Sequence, residues 1–124
     1  WDSAHNKKLI AKMPAVYAVP GAKTSEPGGT FYQVFTGKET VFAGKRGTNI
    51  IGITDGTSNT LMVVEAAREV PWTKPDDLPF DPEAKMLPKL GGHFDGGFNA
   101  AFCDGSVRFI KNTIDINTLK AIIT

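Results

Sequence analysis

The chain has 124 residues, of which 41% are hydrophobic and 22% charged, and its formal net charge is +1 at pH 7. This is a globular composition, long enough for a core that buries roughly two-thirds of the surface exposed on unfolding, and it excludes a largely disordered chain. Basic residues cluster no further than the pairs Lys7-Lys8 and Lys45-Arg46, which excludes the basic stripe of a nucleic-acid binder.

The single cysteine excludes an internal disulfide framework and a multi-cysteine zinc site. No apolar run approaches the roughly 20 residues of a membrane-spanning helix, and no signal peptide is visible. The chain opens WDSAHNKKL without an initiator methionine, so it reads as one globular domain, residues 1–124, from the C-terminal part of a longer protein.

In chain order, Asp2 and Ser3 offer caps, and Leu9, Ile10 and Met13 recur at helical spacing before Pro14. This predicts a short helix from about Ala4 to Lys12. AVYAVP is expected to be extended, and 21–30 (GAKTSEPGGT) is a loop by its Gly, Pro and Ser content. FYQVF alternates with period two, predicting a strand over 31–35; a turn and a short VFA strand follow. Asp55-Gly56 is a turn, and the continuous apolar run over 61–66 fits a strand buried on both faces. The segment 70–92 carries five of the eight prolines and reads as a long ordered loop. NAAFC and SVRFI flank Asp104-Gly105, giving a β-hairpin. The closing residues predict a helix capped at Asp115 or Asn117, with Ile116, Leu119, Ile122 and Ile123 on one face. This order of elements predicts an α+β fold with a mainly antiparallel sheet and short flanking helices. The two Asp-Gly turns, each introducing an apolar strand, are too slight an echo to make a repeat.

The stretch GGHFDGGFNAAFCDGSVRFI, residues 91–110, poses the functional question, because it joins His93, Cys103 and Asp104 with five glycines. A nucleophilic triad of Ser106 or Ser58 with His93 and Asp104 lacks a strand–elbow–helix context, and a hydroxyl after an Asp-Gly turn ordinarily bonds backbone amides. Cys103 in a hairpin strand reads as a small buried hydrophobe, and the neighbouring aspartate would raise its thiol pKa. The segment therefore reads as scaffold, and no catalytic residue is assigned. Gly96, Gly97 and Gly105 let the backbone turn or approach closely, as Gly56 does beside Asp55. Asn99 can satisfy loop amides, and His93 can bond across to this loop or to a carboxylate.

Asp55, Asp76, Asp77, Asp81, Asp95 and Asp104 fall mostly in loops, where hard cations find ligands. None sits in the alternating pattern of a calcium loop, so structural calcium is a minor alternative to having no metal or cofactor. Trp72 and Phe80, with Asp76, Asp77 and Asp81 nearby, form a candidate face for a glycan or peptide, although aromatics in so long a loop more often pin it to the sheet. Glu65, at the end of a buried strand, should be paired, with His93, a lysine or an arginine as candidate partners.

DGTSNTLMVVEA, VPWTKPDDLPFDP and LGGHFDGGFNAAFCDGSVRFI, taken in this order with WDSAHNKKL and TLKAIIT, resemble a bacterial family of exported proteins. That family is named for a prepilin-type N-terminus and a C-terminal His–spacer–Asp-Gly motif. It is a domain of unknown function, sometimes carried under a solute-binding label. The family motif has nine residues between His and Asp-Gly, whereas ten, 94–103, separate His93 from Asp104; the extra residue fits the Gly96-Gly97 turn. The resemblance implies a hydrophobic N-terminal helix processed by a prepilin peptidase, followed by a head like that of a type IV pilin or type II secretion pseudopilin. It further implies a periplasmic or cell-surface location. The expected function is non-enzymatic, through protein–protein contacts or self-assembly, with no nucleic acid and with the membrane reached only through that absent helix. The alternative is a ligand-binding module for a glycan, a small solute or calcium.

Overall fold

The computed structural model describes residues 1–44 and 47–124, so the Lys45-Arg46 pair lies outside the described residues. The fold is α+β and centres on a four-stranded antiparallel sheet. Its strands are β1 (Gly29–Gln33), β3 (Leu61–Pro71), β5 (Gly97–Phe102) and β6 (Val107–Lys111), in the order β1-β3-β5-β6. A two-stranded parallel pair, β2 (Phe35–Thr36) with β4 (Leu78–Pro79), extends the same core. The helices are α1 (Lys7–Ile10) and α2 (Ile116–Ile123).

The core lies on one face of the sheet. Val64 and Ala66 of β3, Phe98, Ala100 and Phe102 of β5, and Ile110 of β6 alternate onto that face, as period-two side chains do, and all are buried. Phe35, Leu78 and Phe80 close one end, with the Phe35 and Phe80 rings edge to face at 6.2 Å. Helix α2 lies against the same face through Ile123, 1% exposed, with Leu119 and Ile122 partly buried beside it. The Asp115 carboxylate accepts from the amides of Asn117 and Thr118 at 2.9 and 3.1 Å, so Asp115 is the cap. Ile116, expected on the packed face, stays 38% exposed in the first turn.

The hairpin forms where expected, in register from Gly97↔Lys111 to Ala101↔Val107. Its loop has three residues, 103–105. The Gly105 amide donates to Phe102 O, the Phe102 amide donates to Ser106 O, and Gly105 has φ +84°. This is the three-residue hairpin with a left-handed residue in third place, a position glycine occupies without steric cost. At the other end Gly97 is required by close approach. A Cβ there would stand 2.2 Å from Ile110 O and 2.7 Å from the Phe109 ring.

Other expectations need correction. Regular α-helix at the N-terminus is confined to Lys7–Ile10, with turns on both sides. AVYAVP is not extended, because Ala15–Tyr17 forms a 3-10 turn whose Tyr17 amide donates to Pro14 O at 3.1 Å. The strand expected over 31–35 breaks at Val34, and Phe35 moves to the second sheet to pair with Leu78. VFA lies in turn, without strand pairing. The run 61–66 continues as β3 to Pro71, and it is not buried on both faces, since Met62 is 36% exposed. The proline-rich segment is mostly irregular, but its start belongs to β3 and it contributes β4 and an antiparallel bridge between Leu90 and Ala66.

Candidate functional site

Strand β3 changes partners along its length, and that change builds the site. Its first residues pair with β5, Leu61↔Phe102 through Val64↔Ala100. From Glu65 onward that side of β3 is taken by residues 89–91: the Gly91 amide donates to Glu65 O at 2.8 Å and the Ala67 amide to Lys89 O at 3.0 Å. On the other side, β1 pairs Tyr32 with Glu65 and Thr30 with Val70, so β3 bulges over 66–69. Where β5 parts from β3, the Asn99 amide needs another acceptor. The Glu65 carboxylate supplies it, with Oε2 accepting from Asn99 N at 2.8 Å and Oε1 from Asn99 Nδ2 at 3.1 Å.

Glu65 is 2% exposed, and none of the ion pairs among the described residues includes it. The expected partners of Glu65, His93 or a lysine or an arginine, are therefore not its partners here; the neutral Asn99 is. The His93 Nε2–H donates instead to the carbonyl of Ala66 at 2.9 Å. A carbonyl cannot donate, so Nε2 carries the proton. The imidazole also lies against the Phe31 ring, with centroids 4.0 Å apart.

The face of the sheet opposite the core holds a hollow of about 460 Å³. Its floor is Val63 and Glu65 of β3 with Asn99 and Ala101 of β5, and its walls include Tyr32, Phe94 and Val107. Burial, together with the charge of Glu65, pushes the Tyr32 phenol above its usual pKa. This hollow escaped the sequence reading. The period-two alternation that sets Val63 and Glu65 on one face of their strand was the signal available for it.

The other singled-out residues are engaged locally. Asp104 Oδ1 accepts from the Ser106 amide at 2.9 Å and from its hydroxyl at 2.7 Å; these bonds hold its carboxyl below the usual range. Burial first, then Asp104, pushes the Cys103 thiol up, away from the thiolate a nucleophile needs. The two Asp-Gly turns meet, because the amides of Cys103 and Asp104 donate to Thr60 O and Thr57 O at 2.9 and 3.1 Å. Asp55 itself borders a separate polar hollow of about 410 Å³ with Glu39 and several threonines, and Gly56 turns the chain beside it. No hydrogen bond among the described residues links His93 to Asp104, Ser106 or Cys103.

Trp72 and Phe80 do not share a face. The Trp72 indole N–H donates to Ile10 O at 3.0 Å and its ring stacks on Tyr17 at 5.4 Å, pinning the N-terminal segment to the end of β3. Phe80 is buried in the core. Asp76 is bonded by Arg68 at 3.2 Å and Lys74 at 2.8 Å, and these bonds lower its pKa to about 2. Asp77 accepts from the Val34 amide, and Asp81 from the Glu83 amide. Among the described residues no group of three His, Cys, Asp or Glu side chains is placed to hold a metal ion.

No curated protein and no solved structure matches the chain. A family model does match, over residues 4–87, ending before His93 and the hairpin. That match spans more than half of the chain, which therefore belongs to the family described as a protein of unknown function, DUF1559, with the short name SBP_bac_10.

Proposed function

We propose that the chain is the head of an exported protein that works by contact with other proteins, at the cell surface or in the periplasm, and catalyses no reaction. In this reading the full protein carries a prepilin-type N-terminal helix, and residues 93–105 are the His–spacer–Asp-Gly signature of its head. The observation that carries the reading is the edge strand β6. It closes the sheet on one side and turns Val107 and Phe109, 67% and 50% exposed, to solvent on the outer face. Apolar side chains on an open edge are a common mark of a protein-contact surface. The polar side chains of the signature segment serve the fold itself: His93 binds the bulge of β3, Asn99 fills the gap beside β5, and Asp104 closes the hairpin.

The test uses the full-length protein in its own host, with a photo-crosslinking residue at position 109. The expected result is a processed, N-methylated N-terminal peptide and a discrete protein adduct at that position. An ordinary N-terminus and an adduct-free head would overturn the reading, as would a hydrolytic activity abolished by His93→Ala.

A further inference from the structure

The hollow on the outer face of the sheet has an unusual floor. A pocket of about 460 Å³ falls within the roughly 300–1,000 Å³ of ordinary small-molecule sites, which are mostly apolar with a few polar groups that orient the ligand. Here the walls supply hydrocarbon and aromatic surface from Val63, Ala101, Val107, Tyr32 and Phe94, and the polar group is Glu65. Its two oxygens are held in place by the backbone and side-chain N–H groups of one residue, Asn99. Those donors are neutral. They fix the carboxylate and satisfy part of its acceptor capacity, but they bring no positive charge.

A side chain this deeply buried is ordinarily paired with a cation. Among the described residues none of the ion pairs supplies one to Glu65, and the hollow is the route by which one would arrive. A metal ion is a poor occupant, because hard cations take six or more oxygens, and no group of three ligating side chains stands together among the described residues. An anion would meet the charge of Glu65. An organic ammonium ion meets every feature: its N–H groups donate to the carboxylate, its positive charge is attracted by the aromatic faces of Tyr32 and Phe94, and its hydrocarbon body covers Val63 and Ala101.

We propose that this hollow is a binding site for a small organic amine, an ammonium group on an apolar and preferably aromatic body, with Glu65 as the counter-ion and Asn99 as the residue that positions it. The site shares the Val107 side chain with the β6 edge, but it requires neither a protein partner there nor any processing of the N-terminus.

The experiment is an amide-detected NMR titration with 2-phenylethylamine, beside 2-phenylethanol as a neutral isostere and 3-phenylpropionate as an anion. Saturable shifts of the Asn99 backbone and side-chain N–H signals are expected with the amine, at an affinity at least about tenfold above that of the alcohol, and none with the anion. Glu65→Gln should lose that preference. Ala101→Phe, which fills the hollow from the neighbouring strand and leaves Glu65 and Asn99 in place, should abolish binding of the amine with the free-state Asn99 signals retained. Equal affinity for amine and alcohol, absence of saturable shifts at Asn99, or full amine binding by Ala101→Phe would each overturn the proposal.

Discussion

The two faces of strands β3 and β5 are built on opposite rules. On the inner face, Val64, Ala66, Phe98, Ala100 and Phe102 pack hydrocarbon against hydrocarbon, and nothing there requires a hydrogen bond from a side chain. On the outer face, one or two residues away in sequence, the same strands bury a carboxylate and seat it on Asn99. The inner face follows from volume and pattern, and many apolar sequences would satisfy it. The outer face depends on particular atoms, because Glu65 takes over an amide that the sheet itself leaves unbonded. Alternation decides which side a residue faces, whereas the point at which strands part decides which polar residue is indispensable.

The largest effect belongs to the inner face: Phe98→Ala should cost about 3–5 kcal/mol in chemical denaturation, the range for emptying a buried aromatic site. A cost near that of a surface substitution would remove Phe98 from the core. Glu65→Ala should cost less, about 1–3 kcal/mol, since it leaves the Asn99 donors without their acceptor. A neutral result would show that water in the hollow replaces the carboxylate fully. Gly105→Val should destabilise by more than about 1 kcal/mol, because a β-branched residue resists the left-handed region. No atom lies within 4 Å of a Cβ built there, so that cost is purely conformational and Gly105→Asn should recover most of it. An unchanged melting temperature in Gly105→Val would refute the turn geometry.

The smallest effect sharpens the outer face through pH. Burial and Glu65 raise the folded-state pKa of Tyr32 above the ordinary phenol value of 10.0. The unfolded chain therefore loses this proton first, so the contribution is fully present below pH 10 and declines as the pH rises through the folded pKa. Tyr32→Phe should flatten that part of the stability profile measured above pH 10, and Glu65→Gln should flatten it in part. A profile unchanged by Tyr32→Phe would place the phenol outside the influence of Glu65.

Local signals carried much of this fold. The hairpin was legible because Asp104-Gly105 sits between two alternating runs, and the last helix because Asp115 precedes an apolar stripe. The short expected strand at VFA failed because three apolar residues, with no neighbouring segment to pair with, gain nothing from an extended conformation. The break at Val34 was hidden for a related reason: Phe35 leaves β1 to meet Leu78, a residue far along the chain whose proximity no local pattern encodes. Glu65 was legible as a residue in need of a partner. Its partner was not, because Asn99 reaches it only through the divergence of β5 and the arrival of residues 89–91, a matter of register. His93 drew attention as chemistry, and its hydrogen bond to Ala66 O depends on the same bulge.

A contact outside both faces couples the last helix to the proline-rich stretch. The Lys120 ammonium donates to the carbonyls of Pro82 and Ala84, at 2.7 and 2.6 Å, from a helix whose other bonds are nearly all its own. Each carbonyl belongs to a proline-rich stretch with little regular structure to hold it. The helix and that stretch are thus bolted to one another as well as to the sheet, and fraying of one releases the other. Hydrogen exchange is expected to show them as a single opening unit, the amides of α2 and those near Ala84 exchanging together, and clearly separate exchange rates would break that coupling.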